Sequence, residues 1–168
     1  MPSLLALCLA VLPALQPGVK EYAERPGSFP VGTLPVFHQD LVQCRIGAAE
    51  VRAGTPQVWR GDEPSADGIY VAVAGSPLGE KLTARFALDV PREAQGYAIR
   101  AERGIVAIVG RDPVGALYGC ETFRQMADGG TVAGAVVRDW PDFRYRSNVS
   151  LGRGLWNLGD GESMDRRF

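Results

Sequence analysis

Between Tyr97 and Glu102 the chain alternates: Tyr97, Ile99 and Ala101 fall on one side, and Ala98, Arg100 and Glu102 on the other. A period of two is the mark of a strand with one buried and one wet face. Ile105 to Gly110 is apolar throughout, as expected of an interior strand covered on both sides. The Arg103-Gly104 corner between them supplies the positive-φ position of a tight hairpin turn. The period then changes. Ala116, Leu117, Cys120, Phe123 and Ala127 gather on one side of a helix, with Glu121, Thr122 and Gln125 on the other. Asp112 is placed to cap this helix, and Pro113 takes the first helical position, where its missing N–H costs nothing.

Away from this stretch the pattern is weaker. Phe37, Leu41, Cys44, Ala48 and Val51 recur at spacings of four and three, which predicts one helix starting at Gly32 or Thr33 and closed by Gly54. His38 is then simply a residue near the helix start. Thr55 to Gly68 reads as a loop. Ile69 to Ala74 is a strand stopped by Gly75-Ser76-Pro77. Lys81 to Val90 alternates at Leu82, Ala84, Phe86 and Leu88 and leans towards strand. Thr131 to Arg138 gives a further strand, and Pro17 to Pro30 a linker or extended edge. Strands and helices out of strict alternation predict an α+β domain, with a mainly antiparallel sheet and two helices packed on one face.

Composition narrows the function classes. At 168 residues with a net charge of −1, the chain can hold one domain with a real core and has no basic surplus to hold nucleic acid. A single histidine and the lack of any Cys-x-x-Cys argue against a metal centre, and no cofactor is expected. Gly110 and Gly115 have the spacing of a phosphate-binding loop, but Ala116-Leu117 replace its Lys and Ser/Thr, and Asp112 would repel a phosphate. Leu4 to Leu12 is an apolar run too short to span a bilayer. It suits the core of a signal peptide over residues 1–16, cleaved near Ala10 or Ala14, for a secreted or periplasmic protein. The other reading is an apolar N-terminal segment packed on the domain. Removal of the signal leaves Cys44 and Cys120, read as buried inert thiols, with a disulfide as the alternative.

Gly96, Tyr97, Asp112, Pro113, Gly115, Ala116, Tyr118 and Gly119, followed by Asp139, Pro141, Phe143, Tyr145 and Arg146, form a recognisable series. It resembles the non-catalytic N-terminal domain of glycoside hydrolases of the β-N-acetylhexosaminidase type, with similar domains in α-glucuronidases and O-GlcNAcases. The resemblance implies that residues 31–139 are this domain and that 140–168 are a hinge and the first strand of a (β/α)8 barrel. A barrel needs about 250 residues, so the catalytic part would be cut short. It also implies an adjacent Asp-Glu pair far along the barrel, and no such pair follows residue 140. Asp62-Glu63 lies earlier, in a proline-bounded loop, as two solvated acids. Asp160, Glu162 and Asp165 are likewise read as solvated.

In the resembling enzymes a second arginine at the mouth of the first barrel strand grips sugar hydroxyls. Arg146 fits the first arginine of that pattern, but Ser147 replaces its glycine and Leu151 its aspartate. Arg153, one residue early, is therefore either a substrate contact or a surface arginine. Trp140, Phe143 and Tyr145 read as packing between domains, with stacking on a sugar face as the other use. Asn148-Val149-Ser150 has the form of a glycosylation acceptor. The expected partners are the barrel and, through it, a glycan. A stand-alone binding module with no enzyme attached is the alternative.

Overall fold

The computed structural model describes residues 15–142 except 17, 52, 62, 65 and 66. In chain order the elements are β1 (Glu21–Pro30), β2 (Val36–His38), α1 (Val42–Glu50), β3 (Pro56–Val58), β4 (Gly68–Val73), α2 (Pro77–Phe86), β5 (Tyr97–Glu102), β6 (Ile105–Gly110), α3 (Pro113–Met126) and β7 (Thr131–Asp139). The strands form one seven-stranded sheet in the order β1-β7-β5-β6-β4-β2-β3. Its β1-β7-β5-β6 half is antiparallel and its β6-β4-β2-β3 half parallel. The α+β class holds, but the sheet is evenly mixed and carries three helices, on both faces.

Alternation along β6 shows why both faces need cover. Val106 and Ile108 join Ile69, Val71 and Ile99 beneath α1 and α3, while Ala107 and Val109 join Tyr70 and Ala72 beneath α2. Helix α2 sits where the alternation from Leu82 to Leu88 had suggested a strand. Its buried side chains are Leu78, Leu82 and Phe86, a spacing of four. The Ser76 hydroxyl accepts from the Gly79 N–H at 3.0 Å, and Pro77 opens the first turn. Ser76-Pro77 is thus a helix start as well as a strand stop. The chain leaves α2 through Ala87, in the left-handed region at φ 47°.

The long helix expected from Phe37 to Val51 is two elements. Phe37 belongs to β2 and stacks on Tyr70 under the α2 face, with ring centroids 5.2 Å apart. Cys44 and Ala48 pack on the opposite face. His38 is buried in β2, its Nδ1 2.8 Å from the Gln39 carbonyl oxygen. Part of the expected loop is β3, paired in parallel with β2. Gly54 does not cap a helix: its N–H donates to the Leu34 carbonyl at 3.0 Å, and a Cβ there would lie 2.7 Å from that oxygen.

Helix α3 is seated by small residues and one large one. Gly115 abuts the Gly96 carbonyl, and a Cβ on Gly119 would come within 2.7 Å of Ile108 Cγ2. Phe123 is fully buried. Met126 completes the apolar stripe, whereas Leu117 is half-exposed and Thr122, expected on the wet side, is buried. Asp112 behaves as expected. Its Oδ1 accepts from the Gly115 N–H at 2.9 Å and its Oδ2 from the Gln95 N–H at 2.7 Å. The carboxylate already occupies the helix N-terminus, which leaves no cradle for a phosphate.

Candidate functional site

The sheet ends in a built polar corner where the chain runs out of β7. Tyr97 at the start of β5 pairs with Asp139 at the end of β7, so the two side chains share a face of the sheet. The buried Tyr97 hydroxyl lies 2.5 Å from Thr122 Oγ1 on α3 and donates to Asp139 Oδ2 at 3.2 Å. This explains the burial of Thr122, since its hydroxyl has a partner that an apolar residue could not offer. Above the corner lies a cavity of about 200 Å³ lined by Gln95, Tyr97, Tyr118, Glu121, Thr122, Gln125, Asp139 and Pro141.

A segment before β1 closes one side of the corner. The Gln16 N–H donates to Gln125 Oε1 at 2.8 Å, and Gln125 Nε2 donates back to the Gln16 carbonyl at 3.2 Å. Leu15 and Val19 pack on the main core. The Lys20 N–H donates to Asp139 Oδ1 at 3.3 Å, and its ammonium pairs with Asp142. The incoming and outgoing chains are thereby tied together at the end of β7.

Trp140 is half-buried between two cations, with Lys20 Nζ 5.4 Å and the Arg138 guanidinium 5.8 Å from its ring. Arg138 is itself held by Glu21 at 2.6 Å and by Asp89 at 2.8 Å. The structure thus places Trp140 against its own domain at the point where the chain leaves it. Phe143, Tyr145, Arg153, the expected barrel strand and the acids at 160, 162 and 165 lie outside the described residues. Glu63 is exposed and pairs with Lys81 at 2.7 Å, while Asp62 is not described. Among the described residues there is no cluster of three or more metal-ligating side chains.

On the other side of α3, over β2 and β4, α1 turns Val42 and Ile46 outwards, 57% and 48% exposed. They are the large exposed apolar residues of the described chain, one turn apart on the same helix. The corner, the outer face of α3 and this apolar strip lie on the same helical layer of the sheet. Sequence reasoning had marked Tyr97 by its alternation and, with Tyr118 and Asp139, through the resemblance; it had put Thr122 and Gln125 on the wet side of α3 without a role and had missed the α1 strip. An unexplained Val and Ile four apart in an otherwise weakly amphipathic helix was the available signal.

The geometry agrees with comparisons to known proteins. Residues 42–140, more than half of the chain, match the family model for glycosyl hydrolase family 20, domain 2. A β-hexosaminidase of Porphyromonas gingivalis is 29% identical over 101 residues, covering 54% of this chain and 11% of that protein. The chain thus spans about a tenth of the curated relative's length. A β-N-acetylhexosaminidase from Bacteroides fragilis superposes with a TM-score of 0.59 at 14% identity, over 79% of this chain and 26% of that one. The family 20 β-N-acetylhexosaminidase of Streptomyces coelicolor gives 0.55 at 20% identity, over 77% and 27%. At those identities the solved structures speak for the fold, and the family model speaks for descent: the chain belongs to the glycosyl hydrolase family 20, domain 2, family.

Proposed function

We propose that this domain is the non-catalytic N-terminal support of a secreted glycoside hydrolase acting on N-acetylhexosamine-containing glycans. The observation that carries the reading is positional. The family match ends at residue 140, where the chain leaves the sheet beside a polar corner, and the helical layer on that face of the sheet also carries the exposed apolar strip of α1. A catalytic barrel following Asp142 would meet this layer first. Its docking would cover Val42, Ile46 and Tyr118, and the Lys20–Asp139–Asp142 ties would set the direction in which it leaves. Secretion rests on the apolar run from Leu4 to Leu12.

Among the described residues, the carboxyls of the polar corner are already engaged by neighbours. Hydrolysis of this kind needs carboxyl groups flanking the scissile bond, one of them as general acid. In the corner, Asp139 is taken up by Tyr97 and Lys20, and Glu121 pairs with Arg124 at 3.0 Å. Incubation of the purified chain with a chromogenic N-acetylglucosaminide should give no turnover. Turnover that tracks the protein, and is lost with Asp139→Asn or Glu121→Gln, overturns the reading. A stand-alone carbohydrate-binding module would use the same corner, which has the aromatic and amide lining for a sugar. Saturable binding of N-acetylglucosamine by the chain alone, lost with Gln125→Ala, supports that second reading.

A further inference from the structure

Two thiols meet between helices. Cys44 on α1 and Cys120 on α3 are both fully buried in the core cluster that those helices share. Gly47 lies one turn after Cys44 on the same face of α1. A Cβ on Gly47 would come within 2.8 Å of Cys120 Sγ and 3.1 Å of Cys120 Cβ. The Cys120 side chain therefore rests in a notch that the missing side chain of Gly47 leaves in α1, less than one helical turn from Cys44. The thiols also sense each other: after burial, the nearby Cys44 is the next cause that raises the titration of Cys120.

We propose that Cys44 and Cys120 form a redox pair that closes into a disulfide joining α1 to α3. A disulfide needs Cα atoms about 4.4–6.8 Å apart, and the close approach of α1 to Cys120 at Gly47 brings Cys44, on the same face, within a small shift of that range. The electron acceptor is another disulfide, of a small thiol such as glutathione or of an oxidising protein. When the uncapped α1 opens locally, Cys44 gives up its proton, and its thiolate attacks one sulfur of that disulfide and expels a thiolate, which takes up a proton. The Cys120 thiolate then attacks the sulfur of Cys44 in the mixed disulfide and expels the second. Two cysteine thiols are oxidised, one external disulfide is reduced to two thiols, and the two protons end on the leaving groups.

Helix α1 is the element such a bond would serve. It has no side-chain cap, no acid in its first turn and no base in its last, so its order depends on α3. The cross-link would close a loop of the intervening chain in the unfolded state. It would also fix the helical layer that carries Val42 and Ile46. The inference stands whether or not a barrel docks there.

The test uses the full chain with Cys8→Ser, so that Cys44 and Cys120 are the remaining cysteines. The folded protein is held with excess oxidised glutathione, then denatured and assayed for free thiols and intact mass. Both thiols should disappear with a mass loss of about 2 Da, reversed by dithiothreitol. In the native oxidised protein, amides of α1 should exchange more slowly than in the reduced form, by about tenfold. Cys44→Ser should leave Cys120 with no intramolecular partner and no mass loss. Retention of both thiols, glutathione adducts on the two cysteines separately, or a cross-link that forms only in denaturant overturns the proposal.

Discussion

A buried thiol can be read through its titration. Burial pushes Cys44 up to about 11 and raises Cys120 well above the ordinary thiol range, because a thiolate loses its hydration in the core between α1 and α3. The ordinary thiol of the unfolded chain ionises near pH 8.5. Below that pH both states hold the proton and these groups leave stability independent of pH. Above it the unfolded state releases protons that the folded state retains, so stability falls as pH rises. For reduced protein the loss should begin near pH 9; the Cys44 share should continue to about pH 11 at about 1 kcal/mol per pH unit, and Cys120 adds loss in the same direction. Urea melts under reducing conditions at pH 8, 9 and 10 measure it. Cys44→Ala should reduce the slope by roughly one thiol's share. An unchanged slope in that variant would show that the alkaline loss arises elsewhere.

Among the elements, α3 was legible in the sequence, α1 only as the second half of a longer expected helix, and α2 not at all, for different reasons. The start of α3 is written locally, in Asp112-Pro113, and its face is marked by Ala116, Cys120 and Phe123. Helix α2 has an equally local start in Ser76-Pro77, but Leu82, Ala84, Phe86 and Leu88 also fit a period of two. In ten residues the two periods share too many positions to separate. For α1 the false signal was tertiary. Phe37 and Cys44 sit on opposite faces of the sheet, and only the fold reveals that their helical spacing is coincidence. The burial of Thr122 was hidden for a related reason, since its partner Tyr97 lies on another element.

Because α3 bridges the sheet and the polar corner, its substitutions should fall in a fixed order. Phe123→Ala removes the largest fully buried side chain and should cost about 3–5 kcal/mol. Asp112→Ala removes the acceptor of both the Gly115 and Gln95 N–H groups and should cost about 1–2 kcal/mol. Gln125→Ala breaks only the exposed pair of hydrogen bonds to Gln16 and should cost less than about 1 kcal/mol. Urea denaturation gives all three. A larger loss at Gln125 than at Phe123 would mean that α3 faces the other way.

The molecule as a whole has one well-covered sheet end and one layer that looks unfinished. Helix α2 closes the face beneath it with Leu78, Leu82 and Phe86. The α1–α3 layer instead leaves Val42 and Ile46 in water on α1, and across α3 it holds a polar cavity at the point where the chain departs. An apolar pair and a lined cavity at a domain exit suit a surface that another domain covers. The resemblance in sequence pointed to a supporting domain but placed the docking residues at Trp140, Phe143 and Tyr145. The structure seats Trp140 between Lys20 and Arg138 where the chain leaves the sheet, Phe143 and Tyr145 lie outside the described residues, and the proposed docking surface adds Val42, Ile46 and Tyr118 on the helices.

Hydroxyl-radical footprinting tests that claim most directly, comparing the chain alone with a fusion in which a family 20 catalytic barrel follows it. Modification of Val42, Ile46 and Tyr118 should fall several-fold in the fusion, while Tyr22 on β1 and the exposed Pro77 on α2 should keep the rates they have in the isolated chain. Equal modification of Val42, Ile46 and Tyr118 in both proteins, or protection confined to the α2 face, would contradict the account.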